Sequence, residues 1–218
     1  MNQGTLSRHI RQVALAACLV GLATAATAVP DAQFQGAFTH FMQANAGDSG
    51  AIDRASEAFS ALLKTEPTNP VLLAYTGAAT AMKATTTWLP WKKMSYAEDG
   101  LSQLDKALSM LNPTHTNAVQ NGTPGVLEVK FVAANTFLAV PGFMNRGERG
   151  SKLLGDVIAS PLLASAPLGF RGTVWLKAAT QASNAKNPTE ARRLLGLILQ
   201  NQAPQTAQAQ ALLKGLPS

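Results

Sequence analysis

The sequence predicts an all-α fold, about four antiparallel helical hairpins stacked in a row and closed by a C-terminal helix. Two observations predict it. Apolar residues recur at helical spacing in one segment after another, and each segment ends at proline or glycine beside a residue that can cap the next helix. Both occur together between residues 55 and 77. There Ala55, Phe59, Leu62 and Leu63 share a helical face, Pro67-Thr68-Asn69-Pro70 breaks the chain, and a second apolar run carries Leu73 and Gly77. Asn69 can cap the second helix with Pro70 at its first position, where no backbone donor is needed.

In order along the chain, Phe34, Phe38, Phe41 and Met42 recur at i, i+4, i+7 and i+8 and form the face of a first helix. Gly47-Asp48-Ser49-Gly50 ends it and can cap the next, over residues 51–64, with Ile52, Ala55, Phe59, Leu62 and Leu63 inward and Asp53, Arg54 and Glu57 outward. Residues 70–84 are almost free of charge, and Ala74, Gly77, Ala78, Ala79 and Ala81 make a narrow helix that others can approach on several sides. It reads as central and largely buried. Residues 85–94, with Trp88-Leu89-Pro90-Trp91-Lys92-Lys93, read as an interruption before Ser95-Tyr96-Ala97-Glu98, a capping box for the next helix. That helix turns Leu101, Leu104, Leu108 and Leu111 inward and stops at Asn112-Pro113.

A polar segment with an Asn121-Gly122 turn leads to Thr123-Pro124, which opens a helix striped by Leu127, Phe131, Ala134 and Leu138 and stopped by Pro141-Gly142. Residues 146–159 form a shorter helix with Leu153, Leu154, Val157 and Ile158, and residues 161–169 are an apolar, broken link. The last hairpin carries Trp175, Ala178, Ala179 and Ala182, then Asn187 as cap, Pro188 at the helix start, and Ala191, Leu195, Ile198 and Leu199. Residues 207–213 are short and Gln-rich, as expected of a terminal capping helix.

The order A-x3-F at Ala55 and Phe59, a proline eight residues after the Phe, and an apolar residue four before Gly77 resembles the junction between two tetratricopeptide repeats. Trp175, Ala179, Ala191 and Leu195 fall on the family's Trp, Gly, small and aromatic positions in another repeat, with Ala for Gly and Leu for Phe as departures. Gly100 takes the place of Ala55 in the intervening hairpin; positions 55 and 100 lie 45 residues apart, 11 more than the family's roughly 34. The extra length falls mostly in the Trp-containing segment. The resemblance spans most of residues 36–213, with two hairpins matching well, and residues 77–108 are also similar to exported bacterial proteins of this type. It implies a right-handed α-solenoid whose concave face binds a partner, with Ala74, Ala78, Ala81 and Met82 in the groove.

The N-terminus reads as a secretory signal peptide. Arg8 and Arg11 precede an apolar run over residues 13–23, and Ala26-Thr27-Ala28 offers a small-x-small cleavage site, which divides the chain into 1–28 and one helical domain over 29–218. The expected location is periplasmic or secreted. Leu15-Ala16-Ala17-Cys18 also looks like a lipobox, which would instead anchor the chain as a lipoprotein through Cys18. Cleavage after Ala28 leaves a chain without cysteine, so thiol chemistry is excluded, and no later segment reaches about 18 uninterrupted apolar residues. Contact with a membrane surface stays open; a span does not.

Only 14% of the residues are charged against 46% apolar, and removing Arg8 and Arg11 from 18 basic residues leaves 16 against 12 acids. Apart from Lys92-Lys93 and Arg192-Arg193 the basic residues are scattered, unlike the stripe of a nucleic-acid binder. Gly47-Asp48-Ser49-Gly50 matches the letters around a serine-protease nucleophile, but between two helices Asp and Ser are ordinary caps. His40 and His115 lack a second His or a carboxylate at i+3 or i+4, and no H-E-x-x-H, G-x-S-x-G, Walker or G-x-G-x-x-G pattern occurs. Glu98 and Asp99 are adjacent and point apart, and Glu128, Glu148 and Asp156 show no pairing by spacing. No cofactor or metal is expected.

Partner binding falls instead on Met82, Trp88, Trp91, Lys92, Lys93 and Tyr96. Two indoles beside two ammonium groups can grip an extended partner, an anionic lipid head group or an acidic surface, or the rings can pack back over the hairpin and leave only the lysines in water. The function expected is a non-catalytic, exported helical-repeat protein that binds a protein or peptide of the cell envelope. Two others stand beside it: a binder of a small apolar or lipid-like ligand, and an enzyme, or an accessory domain of an envelope enzyme, with a small site between hairpins using Arg146, Arg149, Arg171 or Glu128.

Overall fold

The structure, a computed structural model, describes residues 31–119 and 121–217; the expected cleavage site at Ala28 and the alternative anchor at Cys18 lie outside them. Among the described residues nine α-helices follow in order: α1 (Asp31–Asn45), α2 (Ser49–Thr65), α3 (Pro70–Met82), α4 (Pro90–Ser109), α5 (Gly125–Ala139), α6 (Gly147–Ala159), α7 (Leu168–Asn184), α8 (Pro188–Gln200) and α9 (Thr206–Gly215). Short 3-10 helices at Lys83–Thr85, Pro113–Thr116, Gly142–Met144 and Pro161–Ser165 join them, and the extended pairing among the described residues is one bridge between Ala118 and Pro124. The fold is all-α, as the periodicities predict.

Three helix starts follow from their caps. The Asp48 carboxylate accepts from the amides of Gly50 and Ala51, Asn69 accepts from Val71 and Leu72, and Asn187 accepts from Glu190, satisfying first-turn donors that have no partner within the helix. The cap at Asp48 also meets Arg54 at 3.0 Å, and Gly47-Asp48-Ser49-Gly50 is a helix start. One expected cap is corrected. Ser95 does not begin α4, because Pro90 already occupies its first turn after an extended Leu89; the Ser95 hydroxyl instead donates to Asp99 one turn on. Thus residues 90–95 lengthen a helix, and the connection between Thr85 and Pro90 is only four residues.

Helices adjacent in the chain pack in pairs, α1 on α2, α3 on α4, α5 on α6 and α7 on α8, with α9 against α8 and α7. Contacts of α3 with α2 and α5, α4 with α5, and α6 with α7 link these pairs, and one apolar cluster runs from Phe34 to Ala209. As expected, α3 is buried on all sides from Pro70 to Ala79. α5 is buried more widely than its predicted stripe. Val129, Val132, Ala133 and Phe137 are enclosed along with Leu127, Phe131 and Ala134, because α3, α4 and α6 all lie against it, while Leu138 is only half-buried. Met42 leaves the face predicted for α1 and is 47% exposed.

Phe34, Phe41 and Phe59 surround Tyr75, whose ring stacks on Phe59 at 4.7 Å and meets Phe41 edge-on at 5.0 Å. Each such pair contributes about 0.5–1.5 kcal/mol beyond the area it buries. Backbones come closest between α3 and α4. A Cβ on Gly100 would stand 2.5 Å from the Gly77 carbonyl oxygen and 2.6 Å from the Ala81 amide. Ala55 and Ala191 are completely enclosed, so Ala55→Leu or Ala191→Leu is expected to overpack the core and cost about 1–3 kcal/mol. Denaturant unfolding of the purified variants checks this, and an unchanged midpoint would contradict it.

Candidate functional site

The surface that stands out is built by α4. Its buried face is Ala97, Gly100, Leu101, Leu104 and Ala107, which begins only in the third turn. Residues 90–95 are all exposed, so the first turn and a half overhangs the core. Trp88 is 82% exposed and Trp91 66%, so the rings do not pack back over the hairpin; Lys92 and Lys93 stand beside them in solvent. The reason lies in the early start of the helix. Beginning at Pro90, α4 starts nearly two turns before Ala97, the first residue of its buried face, so Trp91 lies on the part of the helix that the core does not reach.

Two other predicted site residues are placed differently. Met82 is half-buried against Ala44, Ala51 and Ile52, filling the gap between α2 and α3. The ring of Tyr96 is half-buried, faced at 5.4 Å by the ammonium of Lys83, which also reaches Asp53 at 3.1 Å. Ala74, Ala78 and Ala81, expected to line a groove, are buried in the core, because α3 is enclosed by α2, α4 and α5. They offer no surface.

A groove does open farther along α4. Met94, Glu98, Leu101, Ser102 and Asp105 line one side and Phe143, Met144 and Arg146 the other, around about 490 Å3. Trp91 precedes Met94 by three residues on the same helical face. Phe143 is 68% exposed at the edge of this groove. The opposite wall is held by charge: Arg146 and Arg149 meet the Asp105 carboxylate at 3.0 and 2.5 Å and lay their guanidinium groups over Phe137 at 5.4 and 5.3 Å. Asn145, in the left-handed region at φ 54°, turns the chain between Met144 and α6. Met94 and Phe143 were not singled out from the sequence. A Phe set between Pro141-Gly142 and the next helix, with no helical face of its own to join, was the available signal.

A second cleft of about 470 Å3 lies between α5 and the end of α6, lined by Val126, Lys130, Asp156, Ser160 and Leu162 among others. Its charges are mutually paired, Lys130 at 3.6 Å and Lys152 at 3.3 Å from Asp156.

Glu128, unpaired by spacing, has partners from elsewhere in the chain. Its Oε1 accepts from the Tyr75 hydroxyl at 2.7 Å and from the Asn121 amide at 2.6 Å, and Gln35 donates to Asn121 in turn. Burial pushes the Glu128 carboxyl above its ordinary range, against the pull of those two hydrogen bonds, and burial followed by the adjacent carboxylate pushes the Tyr75 hydroxyl up. This group lines neither cleft. Arg171 lies over Trp175, so the four polar residues considered for an enzyme site do not converge. His115 accepts from the Asn112 amide as a cap, and no group of three or more metal-ligating side chains occurs among the described residues.

No family model matches the chain, and no curated protein and no solved structure matches it. Among the described residues no helix is long and apolar enough to cross a membrane.

Proposed function

We propose that this is an exported, non-catalytic helical-repeat protein that binds a protein or peptide partner of the cell envelope as an adaptor. Its hairpins would be α1–α2, α3–α4, α5–α6 and α7–α8, stacked as a right-handed tetratricopeptide-like solenoid capped by α9. The pairwise packing of successive helices supports that arrangement. The observation that carries the function is the groove between α4 and Gly142–Met144: open, with Met94, Phe143 and Met144 as its apolar contacts among the polar groups of Glu98, Ser102, Asp105 and Arg146. Exposed apolar side chains such as Met94 and Phe143 set among polar groups suit a protein contact, and an extended peptide fits an open groove better than a small ligand, which needs an enclosed pocket.

Affinity capture from envelope extract tests it. Wild-type protein is expected to recover a partner, and Met94→Glu with Phe143→Ser is expected to weaken its binding about thirtyfold or more, the range of an interface hot spot. Both side chains are exposed, so the variants keep the core. Recovery of nothing above background by the wild type would count against the adaptor.

A further inference from the structure

The groove accounts for Met94 and Phe143 but not for the tip beyond it. Trp88, Trp91, Lys92 and Lys93 line neither cleft. They sit on a projecting end, where residues 90–95 are all exposed. Protein hot spots lie in packed, recessed pockets that exclude water, whereas Trp88 and Trp91 stand 82% and 66% exposed and line neither cleft. A fluid bilayer needs no matching shape. Indoles prefer the level of lipid head groups, where the apolar ring is covered and the N–H stays hydrated, and lysine stems reach past them to phosphate.

Charge supports the same partner. Neither Lys92 nor Lys93 makes an ion pair among the described residues, whereas nearby Lys83 is engaged by Asp53 and Tyr96. The acids of the same helix, Glu98 and Asp99, come two turns after Trp91, roughly 10 Å back toward the core. The unsatisfied charge at the tip is therefore positive.

We propose that the start of α4, with Trp88, Trp91, Lys92 and Lys93, docks the protein on an anionic lipid surface without spanning it. Docking there leaves the groove one to two turns farther along the helix open, so this goes beyond the adaptor reading and does not depend on it.

The test uses the protein as the cell exports it, sedimented with phosphatidylcholine vesicles with and without phosphatidylglycerol. Because every variant shares the same N-terminus, differences between them report on the tip alone. Wild-type protein is expected to bind the anionic vesicles, less so as salt rises, and its tryptophan emission to shift to the blue. W88A/W91A should abolish that shift and most of the binding. K92Q/K93Q should weaken binding to the anionic vesicles about thirtyfold and leave binding to the neutral ones unchanged. Equal sedimentation of wild type and both variants would overturn the proposal. So would absence of vesicle binding together with loss, in W88A/W91A, of a captured partner or of self-association in sedimentation velocity; the tip would then meet a protein or a second copy. Failure of the groove variants in partner capture bears only on the adaptor.

Discussion

Gly100→Ala is expected to destabilise the protein by about 3 kcal/mol, at the upper end of the range for overpacking. The added methyl would meet the Gly77 carbonyl oxygen and the Ala81 amide at 2.5 and 2.6 Å, and both are backbone atoms of a helix enclosed on all sides. A flexible side chain could move aside; α3 cannot shift without disturbing α2 and α5 as well. For a chain of this length the melting temperature should fall by about 6–12 °C. Gly36→Ala is the control, since a Cβ there meets nothing within 4 Å. Equal melting of the two variants would show that α3 and α4 do not approach as described.

The second large effect is expected at Glu128. Replacing it with Ala removes the acceptor of two donors, Tyr75 and Asn121, and leaves a void, at a cost of about 3–5 kcal/mol. The dependence on pH is the sharper test. Burial raises the folded-state value above the unfolded one, so below the unfolded value both states are protonated and the full contribution is present. As pH rises from there through the folded value the unfolded chain ionises first, and stability is lost. Glu128→Gln keeps an acceptor for Tyr75 and Asn121 but cannot ionise, so it should lack this loss and gain on the wild type as pH rises. Denaturant midpoints of both proteins across pH 4 to about 9 read the difference directly. Parallel curves would mean that the carboxyl is not held in a dry environment.

Three of the helices were legible because their starts had a local cause. Asp48, Asn69 and Asn187 cap with their own side chains, and the apolar faces of α2 and α8 need only period 3.6. The start of α4 was misjudged where two local signals competed, Pro90 and Ser95, and proline at the first position won. What the periodicity could not convey was α5. A helix covered from several sides carries no single stripe, so Val129, Val132 and Phe137 lie off the predicted one and are buried nonetheless. Glu128 was illegible for another reason: Tyr75 lies 53 residues away, and no spacing announces a partner from a different hairpin. Of the candidate site, the Trp-Lys tip was visible as composition, but its exposure depends on where α3 ends. The groove needed Phe143 and Met94 brought together from separate segments.

The close approach of Gly77 and Gly100 has a mechanical meaning for the surface it supports. It fixes α4 against α3, and beyond Ala97, the first buried residue of the helix, the six residues back to Trp91 extend about 9 Å. Trp91, Lys92 and Lys93 therefore project on a helix, not on a loop. Because Met94 rides on the same overhang and Leu101 follows on the same helix, an object held at Trp91 and another held in the groove would sit at a spacing set by α4 itself.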